Sequence, residues 1–561
     1  MIRQLFYVLL LVVLHARAQR TVHQINPGPE REHYHGKNHL LLKSPKDAIT
    51  EKERSSTYWN DEAQRTLSEK LNQKPVASKA KNIIFFIGDG MSPQTVAATR
   101  MYLGNENEML SFEKFPHLGQ VQTYCVNRLV PDSACTGTSY LSGVKINYGM
   151  LNLAASIPRY TCEYEKSNET EIYGLMKWAQ DAGKATGIVT NTRITDATPA
   201  ATYAHSASRG WEGDGEVAND KCDPKKTIDI AQQMVYNEVP KNFKVILGGG
   251  RRFFLPREVR DEEGSRGYRM DGRYLIGEWL GIHKAMGESS YVWNKTQLMA
   301  TNFGETDYLL GLFEASTMKY NLEIQDQGTG DAEPRLVEMT EAAIKMLQKH
   351  ADGFVLFVEG GMIDLAHHSN RARMALDETA EFSRAIELAR KLTSVEDTLI
   401  VVSSDHSHTM TYNGYTKRGQ DILGFADNSD RDGLPYTTLS YANGQGYYET
   451  YKPENLAQRQ DLSEQDFTVY NKRYPATVPL STESHGGEDV AVYASGPMSH
   501  IFIGNYEQNT LPYLMAYAAE IEWHTPESIQ DEDGGAAWLS VSLPLLLCLI
   551  ITVALWDRYQ A

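Results

Sequence analysis

Cysteine is scarce in this chain, with five in 561 residues. So low a count excludes a fold held together by a dense disulfide framework, and a chain of this length buries a large core without one. Basic charge is also in deficit. Lysine and arginine number 55 against 72 aspartates and glutamates, a net charge of −17, which argues against nucleic-acid partners, since these demand a basic face. An acidic protein still binds anions where metal ions or arginines reverse the field locally. No internal repeat of solenoid length occurs. The longest apolar runs are missing from the body of the chain and lie at its two ends.

Those ends read as targeting segments. Met1 to Ala18 has a cationic start at Arg3, an apolar stretch from Leu5 to Leu14 and the small-x-small close Ala16-Arg17-Ala18. That is a secretory signal peptide (1–18), too short for a stop-transfer helix. At the other end Asp533-Gly534-Gly535-Ala536-Ala537 precedes the apolar run Trp538 to Trp556. Small residues before a terminal hydrophobic tail predict removal of residues 534–561 and a GPI anchor at Asp533, with 521–533 as a stalk. The polar finish Asp557-Arg558-Tyr559-Gln560 keeps a transmembrane tail open as the alternative. The chain is thus expected at the extracellular face of the plasma membrane. Two acceptor sequons, Asn168-Glu-Thr and Asn294-Lys-Thr, fit that compartment. With Cys548 in the tail, Cys125, Cys135, Cys162 and Cys222 remain. They allow three pairings, among which composition does not choose.

Residues 19–80 are polar and irregular, an arm with one predicted helix from Asp61 to Leu71. Strand signals then begin. Asn82 to Ile87, Ala185 to Thr190, Phe243 to Leu247, Phe354 to Val358 and Thr398 to Val402 are apolar nearly throughout. Without alternation, such runs read as strands buried on both faces of a parallel sheet. Amphipathic stretches between them, such as Met339 to Lys349 and Ala375 to Leu392, make the fold class α/β. The expected architecture is a doubly wound, mostly parallel central sheet flanked by helices, over 81–520. Asp421 to Tyr474, rich in Gly, Asn, Asp and Tyr, reads as an inserted loop-rich surface subdomain spanning about 410–480.

Four of the five strands end in, or lead soon into, a carboxylate: Asp89, Asp196, Glu359 and Asp405. Sites in open α/β sheets form beyond the carboxyl ends of the strands. Any one such aspartate is an ordinary turn former, but the set comes with histidines. Asp364 and His368 are four apart and share one helix face, which suits two ligands on one zinc ion. Asp405-His406-Ser407-His408 adds oxygen and nitrogen ligands at a strand end, and His485 lies among glycines that allow close backbone approach. Asp/His sets without cysteine favour zinc, and Asp, Glu and Thr oxygens favour magnesium. Ser133, in Pro131-Asp132-Ser133-Ala134-Cys135, is the candidate nucleophile. A serine at a helix start beside zinc is favoured as alkoxide by dipole and metal alike, although the same position also suits a plain helix cap. No G-x-S-x-G elbow surrounds it, so an α/β-hydrolase triad is not supported.

Gly88-Asp89-Gly90-Met91, Asp132-Ser133-Ala134, Thr202-Tyr203-Ala204-His205-Ser206-Ala207-Ser208-Arg209, Glu359-Gly-Gly-Met-Ile-Asp364 and Ser404-Asp405-His406-Ser407-His408 resemble the alkaline phosphatases, animal membrane-bound type, in the same order from Tyr58 to Ala519. The resemblance implies hydrolysis of phosphate monoesters through a phosphoserine at Ser133, with two zinc ions and one magnesium ion per subunit. One zinc would take Asp364, His368 and His485. The other would take Asp89, Asp405, His406 and Ser133 Oγ. Magnesium would take Asp89, Thr198 and Glu359, with Asp196 reaching it through water. Arg209, held by Asp132, would clamp two phosphate oxygens. Asp196-Ala-Thr198 departs from the His-x-Ser of mammalian relatives and looks like the bacterial pattern. The resemblance further implies a Cys162–Cys222 disulfide, with Cys125 and Cys135 free or paired. It also implies a homodimer embraced by the arm, and a structural calcium site at Glu314 and Glu333, with a Phe313 carbonyl and Glu262 as the weaker candidate. Sulfatase siblings are set aside because no Cys-x-Pro-x-Arg-like site surrounds Ser133. Phosphodiesterase siblings usually carry threonine as nucleophile.

Overall fold

A computed structural model describes residues 51–326 and 333–523. The signal segment, the first part of the arm, most of the stalk and the tail with Asp533 lie outside the described residues. Among the described residues no helix is long and apolar enough to cross a membrane.

A ten-stranded sheet forms the centre. Its strands are β1 (Asn82–Gly88), β2 (His117–Gln122), β3 (Ala185–Arg193), β4 (Phe243–Gly249), β5 (Ser289–Val292), β6 (Tyr308–Leu312), β7 (Phe354–Gly360), β8 (Thr398–Ser403), β9 (Val490–Ser495) and β10 (Gly504–Glu507). In space they run β10-β2-β9-β8-β1-β7-β3-β4-β6-β5. All pairings are parallel except the two made by β9.

The continuous apolar runs have a simple cause. In β1, Ile83, Phe85 and Ile87 enter the core on one face, with Tyr140, Ile188 and Met234. Ile84 and Phe86 enter the core on the other, with Met339, Ile344 and Phe382. Both faces are covered by helices, so neither set of alternating side chains meets water. The covering helices include α2 (Ser133–Ser142) and α3 (Ile230–Tyr236) on the first face, and α4 (Leu336–Leu347) and α6 (Ala372–Leu392) on the second.

The arm helix α1 runs Ser56–Asn72, longer than predicted at its start because Ser55 caps it, its hydroxyl accepting from Thr57 N at 3.2 Å. It buries no residue in its own chain. Half of the sheet was not predicted. β2 alternates buried and exposed residues, and β10 is a largely exposed edge strand, so neither has the unbroken apolar run of a central strand. Residues 410–479 carry short strands of their own, among them Met410–Tyr412, Leu439–Gly444 and Ala476–Pro479 in one three-stranded sheet. They enclose a separate small core containing Leu439, Tyr441 and Tyr474.

One buried ion pair ties the periphery to the region around Arg209. Arg269 meets Asp229 through two parallel bonds of 3.0 Å each, and both side chains are fully buried. Asp229 also caps α3, accepting from Gln232 N at 2.9 Å. From α3, Gln233 holds the backbone of His205 from both sides, at 2.9 and 2.8 Å, and the chain continues to Arg209. Asp229→Ala removes a cap and strands a buried arginine, so it is expected to cost about 3–5 kcal/mol. Urea unfolding should show a midpoint lowered to match. A midpoint at the wild-type value would mean that Arg269 finds full compensation in Asp271.

Candidate active site

Register brings the chemistry to one level. Ile87 pairs with Glu359 and with Ser403, and Thr190 pairs with Glu359. The segments leaving β1, β3, β7 and β8 therefore emerge side by side at the carboxyl edge of the sheet, carrying Asp89, Asp196, Asp364 and Asp405. Gly90 sits at φ +66°, and a Cβ there would lie 2.3 Å from His408 Cδ2 and 3.3 Å from Asp364 Oδ1. Only glycine lets the backbone come this near the histidines.

The first cluster joins Asp364, His368, His408 and His485. Asp364 and His368 lie one turn apart on α5 (Met362–His368). His367, between them, points elsewhere, to Thr95 Oγ1 and the Tyr441 hydroxyl, both at 2.9 Å. His368 Nδ1 donates to the Glu483 carbonyl at 2.5 Å, and His485 Nδ1 to the Pro131 carbonyl at 2.8 Å. With both Nδ1 atoms protonated, the two Nε2 lone pairs face each other across 3.0 Å. Asp364 lies 3.3 Å from His368 Nε2 and 3.4 Å from His485 Nε2. Facing lone pairs beside a carboxylate repel, and a zinc ion between them would satisfy all three. Burial keeps the His368 imidazole below its ordinary pKa and so neutral, the form that ligates.

The second cluster joins Asp89, Asp405 and His406, all buried. His406 Nδ1 donates to the Ser407 carbonyl at 3.2 Å. Its Nε2 lone pair faces Asp405 Oδ2 at 3.2 Å, Ser133 Oγ at 3.3 Å and Asp89 Oδ1 at 3.4 Å. Asp89 Oδ1 is a buried oxygen without a hydrogen-bond donor. Burial first, and then the charge of Asp405, push the Asp89 carboxyl up. Two carboxylates, a hydroxyl and a neutral imidazole nitrogen converging on one point again fit a divalent cation.

Ser133 opens α2, and Asp132 caps it, accepting from Cys135 N at 3.4 Å. Asp132 also accepts from Gly149 N at 2.9 Å and from Arg209 Nη1 at 3.2 Å. Ser133 Oγ lies 3.2 Å from Asp89 Oδ2. A disulfide joins Cys125 to Cys135, two residues beyond Ser133, and a second joins Cys162 to Cys222. Asn168 is exposed on a turn, whereas Asn294 caps a short helix through its Oδ1, 2.9 Å from Gln297 N.

The expected magnesium residues are arranged more loosely. Thr198 Oγ1 lies 3.4 Å from Asp89 Oδ2. Glu359 accepts from the hydroxyls of Thr190 and, at 3.1 Å, Thr192. Burial raises the Glu359 carboxyl to about 8, against the hydrogen bond from Thr190 and with a further push from Asp196. Such an oxygen-only set fits a hard cation. Asp196, expected to reach that cation through water, is engaged by two arginines, Arg193 at 2.7 Å and Arg209 at 3.2 Å. Burial works to raise the Asp196 carboxyl, yet Arg193 and then Arg209 outweigh it and hold Asp196 below the usual carboxylate range. The calcium reading fits less well. Lys319 Nζ lies between Glu314, at 3.2 Å, and Glu333, and Glu262 faces Arg251 at 3.6 Å. Phe313 is buried in the core. As placed, the two glutamates answer an ammonium, not the six to eight oxygen ligands that calcium takes.

Two such clusters, a capped serine and an arginine beyond the strand ends define a class of α/β site suited to divalent cations and an anionic ligand. The comparisons with known proteins make the class specific. The family model for alkaline phosphatase matches residues 80–521. The membrane-bound alkaline phosphatase of Bombyx mori is 43% identical over 478 residues, 83% of this chain and 86% of that protein. The tissue-nonspecific isozyme of Gallus gallus is 44% identical over 484 residues, 84% of this chain and 91% of its own length. The human tissue-nonspecific isozyme is 41% identical over 516 residues, covering 90% and 95%. Among solved structures, the Thermus thermophilus alkaline phosphatase superposes with a TM-score of 0.56 at 24% identity, over 81% of this chain and 94% of that one. The chain belongs to the alkaline phosphatase family, enzymes that hydrolyse phosphate monoesters.

Sequence reasoning found His408 but not its place. It pairs across a two-residue ladder with His485. Its ring lies between Asp364 Oδ1 and Glu483 Oε2, each at 2.6 Å. Burial opposes its charge, yet Glu483 and Asp364 together raise His408 to about 10. A charged imidazolium that orients a ligand carboxylate is an outer partner of a metal site. The alternation in His406-Ser407-His408 is the one sequence signal for a shared face, and Glu483 has none. His408→Ala should weaken zinc binding at the Asp364 cluster about 10- to 100-fold. Competition with a zinc chelator would measure it, and an unaltered affinity would remove His408 from the support of this cluster.

Proposed function

We propose that this alkaline phosphatase is metal-dependent and works through a phosphoserine on Ser133. One observation carries the reading: Ser133 Oγ lies within 3.3 Å of both Asp89 and His406 of one cation-shaped cluster, while its own cap, Asp132, binds Arg209. Asp89, Asp405 and His406 would hold one zinc ion, and Asp364, His368 and His485 the other. Asp89, Thr198 and Glu359 would hold magnesium. Zinc, when bound, supplies the Lewis acidity that favours a serine alkoxide and offsets charge on the leaving oxygen.

The chain's own groups do the positioning. Ser133 opens α2, where the helix dipole favours negative charge on its Oγ. Asp89 Oδ2, 3.2 Å away, is the nearest acceptor for the proton that Ser133 must lose. Arg209 offers a planar fork to two phosphate oxygens, and Asp132 and Asp196 hold that fork from two sides. As Ser133 attacks, the phosphorus–oxygen bond to the alcohol breaks, and water later cleaves the phosphoserine. Arg209 keeps its bonds to the equatorial oxygens through both steps.

Membrane attachment and assembly belong to the same proposal. The small residues at Asp533-Gly534-Gly535 before an apolar tail support a GPI anchor at the extracellular face after removal of a signal peptide, and a relative carries "membrane-bound" in its name. Helix α1 leaves Trp59, Leu67 and Leu71 exposed, which fits an arm packed on a second subunit.

Ser133→Ala should cut kcat by several orders of magnitude and abolish the trapped phosphoenzyme, and a chelator should do the same to the native enzyme until zinc is restored. A phosphoryl group trapped on any other residue would overturn the assignment. For the anchor, phosphatidylinositol-specific phospholipase C should release the activity from intact membranes. Activity that leaves the membrane only with detergent would show a spanning helix instead.

A further inference from the structure

Arg193 lies at the end of β3, outside the nucleophile, phosphate and cation-binding sets. It is the hub of a closed network beside the nucleophile. Its Nη2 lies 2.7 Å from Asp196 Oδ2, and its Nε lies 2.8 and 3.1 Å from the two oxygens of Glu212. Thr195 Oγ1 also donates to Glu212, at 2.6 Å. The other oxygen of Asp196 takes Arg209 Nη2 at 3.2 Å, and Asp132 takes Arg209 Nη1 at 3.2 Å. The network runs from Glu212 through Arg193, Asp196 and Arg209 to Asp132. Glu212 stands three residues beyond Arg209, so the ring closes on the same loop.

The charges make the arrangement puzzling without Arg193. Arg209 must donate to a phosphate that carries up to two negative charges, yet two carboxylates already grip its fork. Asp196 alone would do two harmful things. It would repel the incoming anion, and it would compete with that anion for the guanidinium. A second guanidinium at 2.7 Å neutralises Asp196 from behind, so Asp196 can steer Arg209 without holding it fast. Glu212 in turn holds Arg193 from the far side, both of its oxygens accepting from the one Nε.

We propose that Arg193 is a positioning residue for phosphate, balancing Asp196 so that the Arg209 fork is oriented yet free to bind the substrate and the product phosphate. The inference rests on the reading of Arg209 as the phosphate clamp. Its effect belongs to binding more than to the chemical step, because Arg193 touches neither Ser133 nor either cation cluster.

The test is a set of variants of the metal-loaded full enzyme, read by inhibition with inorganic phosphate and by steady-state kinetics with an aryl phosphate. Arg193→Gln is expected to raise the phosphate inhibition constant and KM together by about tenfold, with a smaller change in kcat. Arg193→Lys keeps a cation beside Asp196 and should recover most of that affinity. In an Asp196→Asn background there is no charge left to balance, so Arg193→Gln should add little, a coupling that a merely structural role would not produce. Phosphate affinity within twofold of wild type in a folded Arg193→Gln enzyme would overturn the proposal. So would an equal loss in both backgrounds, or a lysine variant as weak as the glutamine one. Arg209→Lys separates the two readings. If it leaves phosphate affinity intact, the clamp itself is wrong. If it weakens phosphate while Arg193→Gln does not, only the role of Arg193 falls.

Discussion

Everything at the active edge of this protein depends on one electrostatic constraint: acceptors converge there with too few protons to satisfy them. Two imidazole nitrogens confront each other at 3.0 Å with their hydrogen-bonding hydrogens committed elsewhere. A short distance away, buried carboxylates of Asp89 and Asp405 meet at His406. In a low-dielectric interior such groupings are strongly unfavourable alone. Divalent cations would reconcile them, and on the function proposed above the same cations would make the site useful for hydrolysis of a phosphate ester.

The fold is what makes so costly an arrangement possible. The paired central strands β8, β1, β7 and β3 are buried on both faces and locked in register, and they hold the loops that carry the ligands. Glycine at position 90 lets the first loop come within touching distance of His408. The disulfide from Cys125 to Cys135 and the cap from Asp132 fix the start of α2, so Ser133 is placed by covalent and hydrogen-bonded constraints before any substrate arrives. His408, charged between Glu483 and Asp364, is the counterpart on the opposite side. It contributes no lone pair, yet it sets the ligand carboxylate.

Arginines manage the remaining negative charge. Arg209 is held by Asp132 and Asp196, and Arg193 stands behind Asp196. This network changes how the Asp196-Ala-Thr198 sequence is understood. From the sequence, Asp196 pointed toward magnesium. In the structure its two oxygens are engaged by guanidinium groups. A similar exchange occurs at Glu314 and Glu333, where the ammonium of Lys319 stands where oxygen ligands had suggested calcium. In both places a side-chain cation supplies positive charge to the carboxylates, and neither Arg193 nor Lys319 lay within a motif that singled it out.

The sequence alone determined the class of the fold and most of the chemistry. Strands buried on both faces must be apolar throughout, so β1, β3, β4, β7 and β8 were visible as runs. Carboxylates and histidines that follow such strands, or stand four apart on a helix as Asp364 and His368 do, were visible as spacing. Edge strands such as β2 and β10 were not, because half of their residues face solvent and carry no constraint toward hydrophobicity. The tertiary structure alone decided which groups converge on one point and which share a proton. His406 and His408 are two residues apart and alike in sequence. Yet one faces Ser133 and the other is clamped between carboxylates from α5 and from the loop before His485. Glu483 acquired its place only when distant segments met, and Arg193 and Glu212 only when their loops folded onto each other, since a charge has no sequence periodicity to betray its partner.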